Sequence, residues 1–163
     1  MTIRIGKRCR FSCEKLSLGD VALDYVDKVK YLGIFFVSAY RFKPCFSDAR
    51  TKFFKTINGI LGRRKGFMND IVMLFLLRSK CLPFLLYGCE SFELTKSEFG
   101  VLESAWNAVY WKLFRTSDSC CISNILMALN LPTFHNLMAM RKCTFERNML
   151  LSSNRIMSFL VSL

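Results

Sequence analysis

One histidine in 163 residues, 12 acidic side chains against 24 basic ones, and not a single glycine-rich phosphate loop leave this chain short of the parts from which active sites are built. His135 stands beside Asn136 without a serine or cysteine partner pattern, and is expected to be a surface histidine near a helix cap. The eight cysteines at 9, 13, 45, 81, 89, 120, 121 and 143 contain no pair of CxxC spacings, which excludes the usual zinc frameworks. Neither GxxxxGK[ST] nor GxGxxG occurs, so no loop is shaped to cradle a nucleotide. Metal-dependent phosphoryl or nucleotidyl transfer needs carboxylates clustered around two divalent ions. Here Asp24 and Asp27 are expected to keep a turn solvated and to pair with Lys28 or Lys30, while Glu90, Glu93, Glu98 and Glu103 are scattered and expected at the surface.

Two further absences bear on location. The apolar stretch from Asp70 to Gly88 is cut by Arg78-Ser79-Lys80 into runs of about eight residues, short of the roughly twenty that span a bilayer, so a buried helix is expected and no membrane partner. The N-terminal residues Thr2 to Arg10 have no apolar core behind them. No signal peptide is therefore expected, and the cysteines are expected reduced, in the nucleus or cytoplasm rather than outside the cell.

What the chain does have is apolar and cationic. Hydrophobic residues make up 52%, including 16 Phe and eight Met, enough for a real core with apolar surface left over for a partner. The formal net charge is +12, and it is lopsided: residues 1–65 carry fifteen Lys and Arg against five Asp and Glu. A cationic first half is suited to nucleic acid or an anionic surface.

Loose alternation over residues 2–11 predicts a strand. Leu16-Ser17-Leu18 and Val21-Ala22-Leu23 about Gly19-Asp20 predict an antiparallel hairpin. Val29 to Val37 is apolar at nearly every position and reads as one strand, buried on both faces or with one face awaiting a missing neighbour, with Gly33 marking a bulge or a close backbone approach. From Ser47 to Leu61, Phe46, Ala49, Phe53, Ile57 and Ile60 form one apolar stripe, with Lys52, Lys55 and Arg63 opposite. Arg50 falls at the stripe's edge and is expected to pair locally or snorkel.

Asn69 caps a helix to Lys80, and Pro83 kinks or ends it. Thr95-Lys96-Ser97-Glu98 is a capping box for a helix whose seam is Phe99, Leu102, Trp106, Val109 and Leu113. Asp118 to Cys121 reads as a loop, with Ser123 capping a short helix to Leu129. Thr133 caps a longer helix to about Leu151, and Ser152-Ser153-Asn154 precedes a short terminal one.

Between Tyr40 and Lys65, the cations Arg41, Lys43, Arg50, Lys52, Lys55, Arg63, Arg64 and Lys65 alternate with Tyr40, Phe42, Phe46, Phe53 and Phe54. Cations neutralise phosphates and an exposed ring stacks on a base. The plainer alternative has every ring in the core and every cation merely solvated.

A family resemblance bears on that choice. Val29-Lys30-Tyr31-Leu32-Gly33-Ile34 resembles the "KYLG" strand that follows the catalytic motifs in reverse transcriptases of non-LTR (LINE-type) retrotransposons. Lys52 to Ile60 resembles that family's first thumb helix, Leu77 to Gly88 its "PxxLYG" helix, and Asn107 to Phe114 its "N…KLF" segment. Asn130-Leu131-Pro132 and Arg141 to Asn148 also have counterparts, so the similarity is collinear along nearly the whole chain.

The resemblance implies a palm end over residues 1–44, a thumb-like helical domain over 45–116 and a helical extension over 117–163. The expected fold class is α+β, a small N-terminal antiparallel sheet followed by a mainly helical bundle. It further implies binding of an RNA/DNA or DNA duplex through Lys52, Lys55, Arg63, Arg64, Lys65, Arg41 and Lys43, with Tyr31, Leu32 and Gly33 near a primer end. No "FADD" or "YADD" occurs in the 163 residues. The expectation is thus a truncated piece that does not polymerise, awaits its palm and fingers, and holds no cofactor of its own, the family's divalent metal such as Mg belonging to the missing part. A protein-interaction or scaffold module, or a relic reading frame without nucleic-acid binding, stands as the alternative.

Overall fold

The computed structural model describes residues 2–7, 14, 16–63, 69–116 and 118–154. The fold is α+β: five short strands in two antiparallel sheets precede the helices. The chain forms two compact units, Met1–Ala49 and Arg50–Leu163, so the division falls just inside the first helix.

In the first unit, β1 (Leu16–Leu18) and β2 (Val21–Leu23) pair antiparallel about Gly19-Asp20, the hairpin that the sequence predicts. Gly19 takes φ +60°, where a residue without Cβ meets no steric penalty. The second sheet has the order β3 (Lys28–Tyr31), β4 (Ile34–Val37), β5 (Lys43–Cys45).

The continuous strand expected over Val29 to Val37 is therefore a hairpin. Tyr31 faces Ile34 across a two-residue turn, in which Leu32 (φ 46°) and Gly33 (φ 84°) are both left-handed. That is the backbone of a type I′ turn, which matches the strands' own twist. Gly33 marks no bulge in the ladder; it reverses the chain. Hydropathy concealed this because Leu32 occupies a corner that Asn or Asp usually takes. Of the strand expected over residues 2–11, the described residues 2–7 form isolated parallel bridges, Thr2 to Tyr25 and Ile5 to Ala39, and residues 8–10 lie outside the described ones. Phe11 lies outside the described residues.

The second unit is helical. Helix α1 (Ser47–Gly62) buries Phe53 and Ile57, the middle of the predicted stripe. Asn69 accepts a hydrogen bond from the Ile71 amide and so caps α2 (Asp70–Lys80). Pro83 sits at the start of α3 (Leu82–Leu86), and Gly88 at φ 77° precedes a 3-10 turn, Cys89–Ser91. Taken end to end, Asp70–Ser91 is long and apolar enough to cross a membrane by length and composition, so Arg78 and Lys80 do not disqualify it as the sequence reading supposed. The segment is nonetheless broken into three pieces, and Leu74, Leu77 and Leu85 are wholly enclosed.

Helix α4 (Lys96–Phe114) starts on the predicted capping box: the Thr95 hydroxyl accepts from the Glu98 amide, and the Glu98 carboxylate accepts from the Thr95 amide at 2.9 Å. Leu102, Trp106, Val109 and Leu113 of its seam are buried, joined by Ala105 and Tyr110. The Trp106 and Tyr110 rings meet edge to face at 5.7 Å, and Phe53 of α1 lies 6.2 Å from Trp106. Burial pushes the Tyr110 hydroxyl above its ordinary pKa.

The loop expected over Asp118 to Cys121 is instead the start of α5 (Ser119–Ala128). Asp118, not Ser123, is the cap, accepting from the Cys120 amide at 3.0 Å; Ser123 lies in mid-helix and donates back to the Ser119 carbonyl. Thr133 caps α6 (Phe134–Leu150), as its sequence predicts. The expected terminal helix after Asn154 lies outside the described residues.

Candidate nucleic-acid interface

The sequence-predicted cations divide between the two units. Lys52, Lys55 and Arg63 all emerge exposed from or just beyond α1. At about 100° per residue they lie within about 80° of one another, on the side away from Phe53 and Ile57. Among the described residues none of the three meets a carboxylate. The helix has a single acid, Asp48, and that is held 2.9 Å from Lys28.

Arg41 and Lys43 are exposed too, but belong to the first unit, Arg41 before β5 and Lys43 within it. Arg64 and Lys65 lie outside the described residues. Tyr31, Leu32 and Gly33 make the tip of the β3–β4 hairpin, where Tyr31 is 66% and Leu32 72% exposed.

A second set of residues gathers on the other flank of α1, from two helices. Arg50 lies over the ring of Phe54, its guanidinium carbon 5.7 Å from the centroid, and Lys112 of α4 brings its ammonium to the same 5.7 Å. Lys112 also donates to Asn58 Oδ1 at 2.7 Å. Arg50 thus does pair locally, with a ring rather than an acid. Its partnership is visible in sequence as an i, i+4 spacing on one helix. The arrival of Lys112 is not, because it depends on which helix packs beside α1.

The acidic residues are dispersed, and three of them, Asp24, Asp27 and Glu90, depart from expectation. Lys28 pairs with Asp48 rather than with Asp24 or Asp27, and both Lys28 and Lys30 lie over the Phe35 ring, at 4.1 and 5.7 Å. Glu90 is half-buried rather than fully at the surface: its side chain is 20% exposed, one oxygen faces Arg141 at 3.4 Å and the other is buried without a hydrogen bond. His135 is exposed, with its ring edge-on to Phe99.

Among the described residues no three His, Cys, Asp or Glu side chains converge on a point that could hold a metal ion, so the acids present do not fit a divalent pair. Burial raises the Cys81 thiol to about 11 and the Cys89 thiol to about 12, where neither is a nucleophile near neutral pH. What the arrangement can do is attract anions.

No protein-family model, curated protein or solved structure matches this chain.

Proposed function

We propose that the chain is part of a non-LTR retrotransposon reverse transcriptase, comprising palm end, thumb and helical extension, and that its own task is to hold a nucleic-acid duplex rather than to copy it. The collinear motifs from Tyr31-Leu32-Gly33 through Lys112-Leu113-Phe114 to Asn148 support the family. The observation that carries the task is the cationic surface of α1. Lys52, Lys55 and Arg63 are exposed, share one side of the helix and have no carboxylate partner among the described residues. Unpaired cations in a row release counterions when they meet phosphates, which gives affinity without sequence preference. Arg41, Lys43, Arg64 and Lys65 would add to that charge, and the Tyr31–Gly33 hairpin tip would approach a primer end. Among the described residues no three His, Cys, Asp or Glu side chains converge, and the reading assigns this chain a holding role.

Filter binding of the full chain to a short RNA/DNA duplex across a salt series tests the task. A steep fall of affinity with salt is expected, and charge reversal at Lys52 and Lys55 flattens it whatever the duplex sequence. A slope near zero in the unaltered chain would sink the reading.

A second reading, an interaction module without nucleic-acid affinity, draws on exposed apolar side chains. Ile71, Val72 and Phe75 of α2 are 40–56% exposed, and Leu18, Val21 and Leu32 of the first unit 65–74%. A defined, salt-insensitive oligomer in size-exclusion chromatography would favour it.

A further inference from the structure

We infer that Arg50, Asn58 and Lys112, gathered about the Phe54 ring, form a second phosphate-binding site on the flank of α1 opposite Lys52 and Arg63, and that it takes a backbone phosphate rather than a base. The inference rests on the duplex-holding reading and adds to it a site supplied by two helices. Three donor types meet here: a guanidinium, an ammonium and, since Asn58 Oδ1 is occupied by Lys112, the Asn58 Nδ2 amide. Two positive charges gathered at one ring repel each other, and among the described residues no carboxylate pairs with either. The ring's negative face offsets part of that repulsion and fixes where both cations sit. The remainder favours an anion, and a phosphate accepts from both a guanidinium fork and an ammonium.

The same geometry decides what part of a nucleic acid is met. Base stacking needs an open aromatic face. Phe54 has cations from two helices over it and the Phe53 ring at 5.5 Å against it, and it is only half-exposed. An approaching strand therefore encounters charge and amide hydrogen before carbon. The site is indifferent to base identity and to whether the bases are paired.

The plainer role for Lys112, a cation in the last turn of α4 stabilising the helix end, leaves Arg50 unexplained. It also predicts a different outcome. Equilibrium binding of the full chain to a short RNA/DNA duplex, measured across a salt series, separates the two. Arg50→Gln with Lys112→Gln together should lower the log–log salt slope by about two, and either alone by about one. Lys112→Arg should retain the slope, and Lys142→Gln, an exposed cation on α6, should leave it unchanged.

Thermal unfolding of each variant, followed by circular dichroism, checks that the helices persist. If the variants are folded and the double substitution binds with the slope of the unaltered chain, this site is overturned while the duplex reading stands. If the unaltered chain shows no slope, both fall. Inorganic phosphate titrated at constant ionic strength distinguishes the remaining source. Displacement of the duplex from the unaltered chain but not from the double variant would show the free anion and the backbone competing for this site, as expected; phosphate that binds the unaltered chain but not the double variant and leaves the duplex in place would make this a site for the free anion and overturn the backbone assignment.

Discussion

The two units keep their shape by different means. In Arg50–Leu163 the helices enclose Trp106, Tyr110, Phe53 and a set of leucines that have almost no contact with solvent. In Met1–Ala49, Phe36 and Pro44 are the only buried side chains among the described residues, and Leu16, Leu18, Val21, Tyr31, Leu32, Tyr40 and Phe42 stand more than half exposed. Phe36 stacks on Phe42 at 4.6 Å, and Lys28 and Lys30 lie over Phe35, so the little sheet relies on ladder hydrogen bonds and on rings covered by their neighbours. The difference teaches that apolar composition alone does not make a core. A helix buries a stripe three or four residues wide against its neighbours, whereas a strand of three or four residues has a small face and two ends.

The strongest way to break this comparison is Trp106→Ala, which removes the largest buried side chain. It should cost the helical unit about 3–5 kcal/mol in urea unfolding, as large-to-small core substitutions do. The same substitution should speed the modification of Cys81 and Cys89, which react only when the helices open. Phe36→Ala is the matching probe of the sheet. Phe36 is 7% exposed in a sheet three strands wide, so the loss should be about 1–3 kcal/mol, and amide exchange should accelerate in β3–β5 while α2 and α4 keep their protection. Equal losses from the two substitutions would erase the distinction between the units.

Leu32→Asn sharpens the comparison in the opposite direction. A leucine at φ 46° carries a left-handed penalty of about 1 kcal/mol that asparagine largely escapes, so the variant should be more stable in thermal unfolding, with Gly33 unchanged. The smallest effect belongs to Asp118. Hydrogen bonds from the Cys120 amide and the Cys121 thiol, followed by that from the Cys121 amide, hold its carboxyl below the ordinary aspartate range. A carboxyl depressed in the folded state contributes stability above its unfolded pKa and loses it as pH falls through the folded one. Helix α5 should therefore fray only in acid, and Asp118→Asn should remove that acid limb from its exchange profile.

The helices were legible because their signals are local. A capping box at Thr95, a cap at Asn69, and the recurrence of Phe53 and Ile57 or of Leu102, Trp106 and Val109 each lie within a few residues of what they specify. The β3–β4 turn was not legible, since Leu32 gives no sign of reversal and Gly33 alone is compatible with a bulge. Asp118 to Cys121 has the look of a loop because Ser123 is also a cap residue, whereas the helix starts on Asp118, whose side chain accepts from the second residue on.

For the candidate interface, exposure of Lys52, Lys55 and Arg63 followed from helical phase. The grouping of Arg50, Phe54, Asn58 and Lys112 joins residues 54 positions apart in one of its bonds, and no pattern on a single helix announces it.

The reversal at Leu32-Gly33 has a practical corollary for anyone shortening or lengthening this protein. A loop of two residues has no slack, and neighbouring side chains on β4 point to opposite faces. Inserting one residue between Tyr31 and Ile34 would turn the whole of β4 over and put Phe35 in place of Phe36 against Pro44, while deleting one would put Val37 there, so the hairpin should tolerate altered letters far better than an altered count.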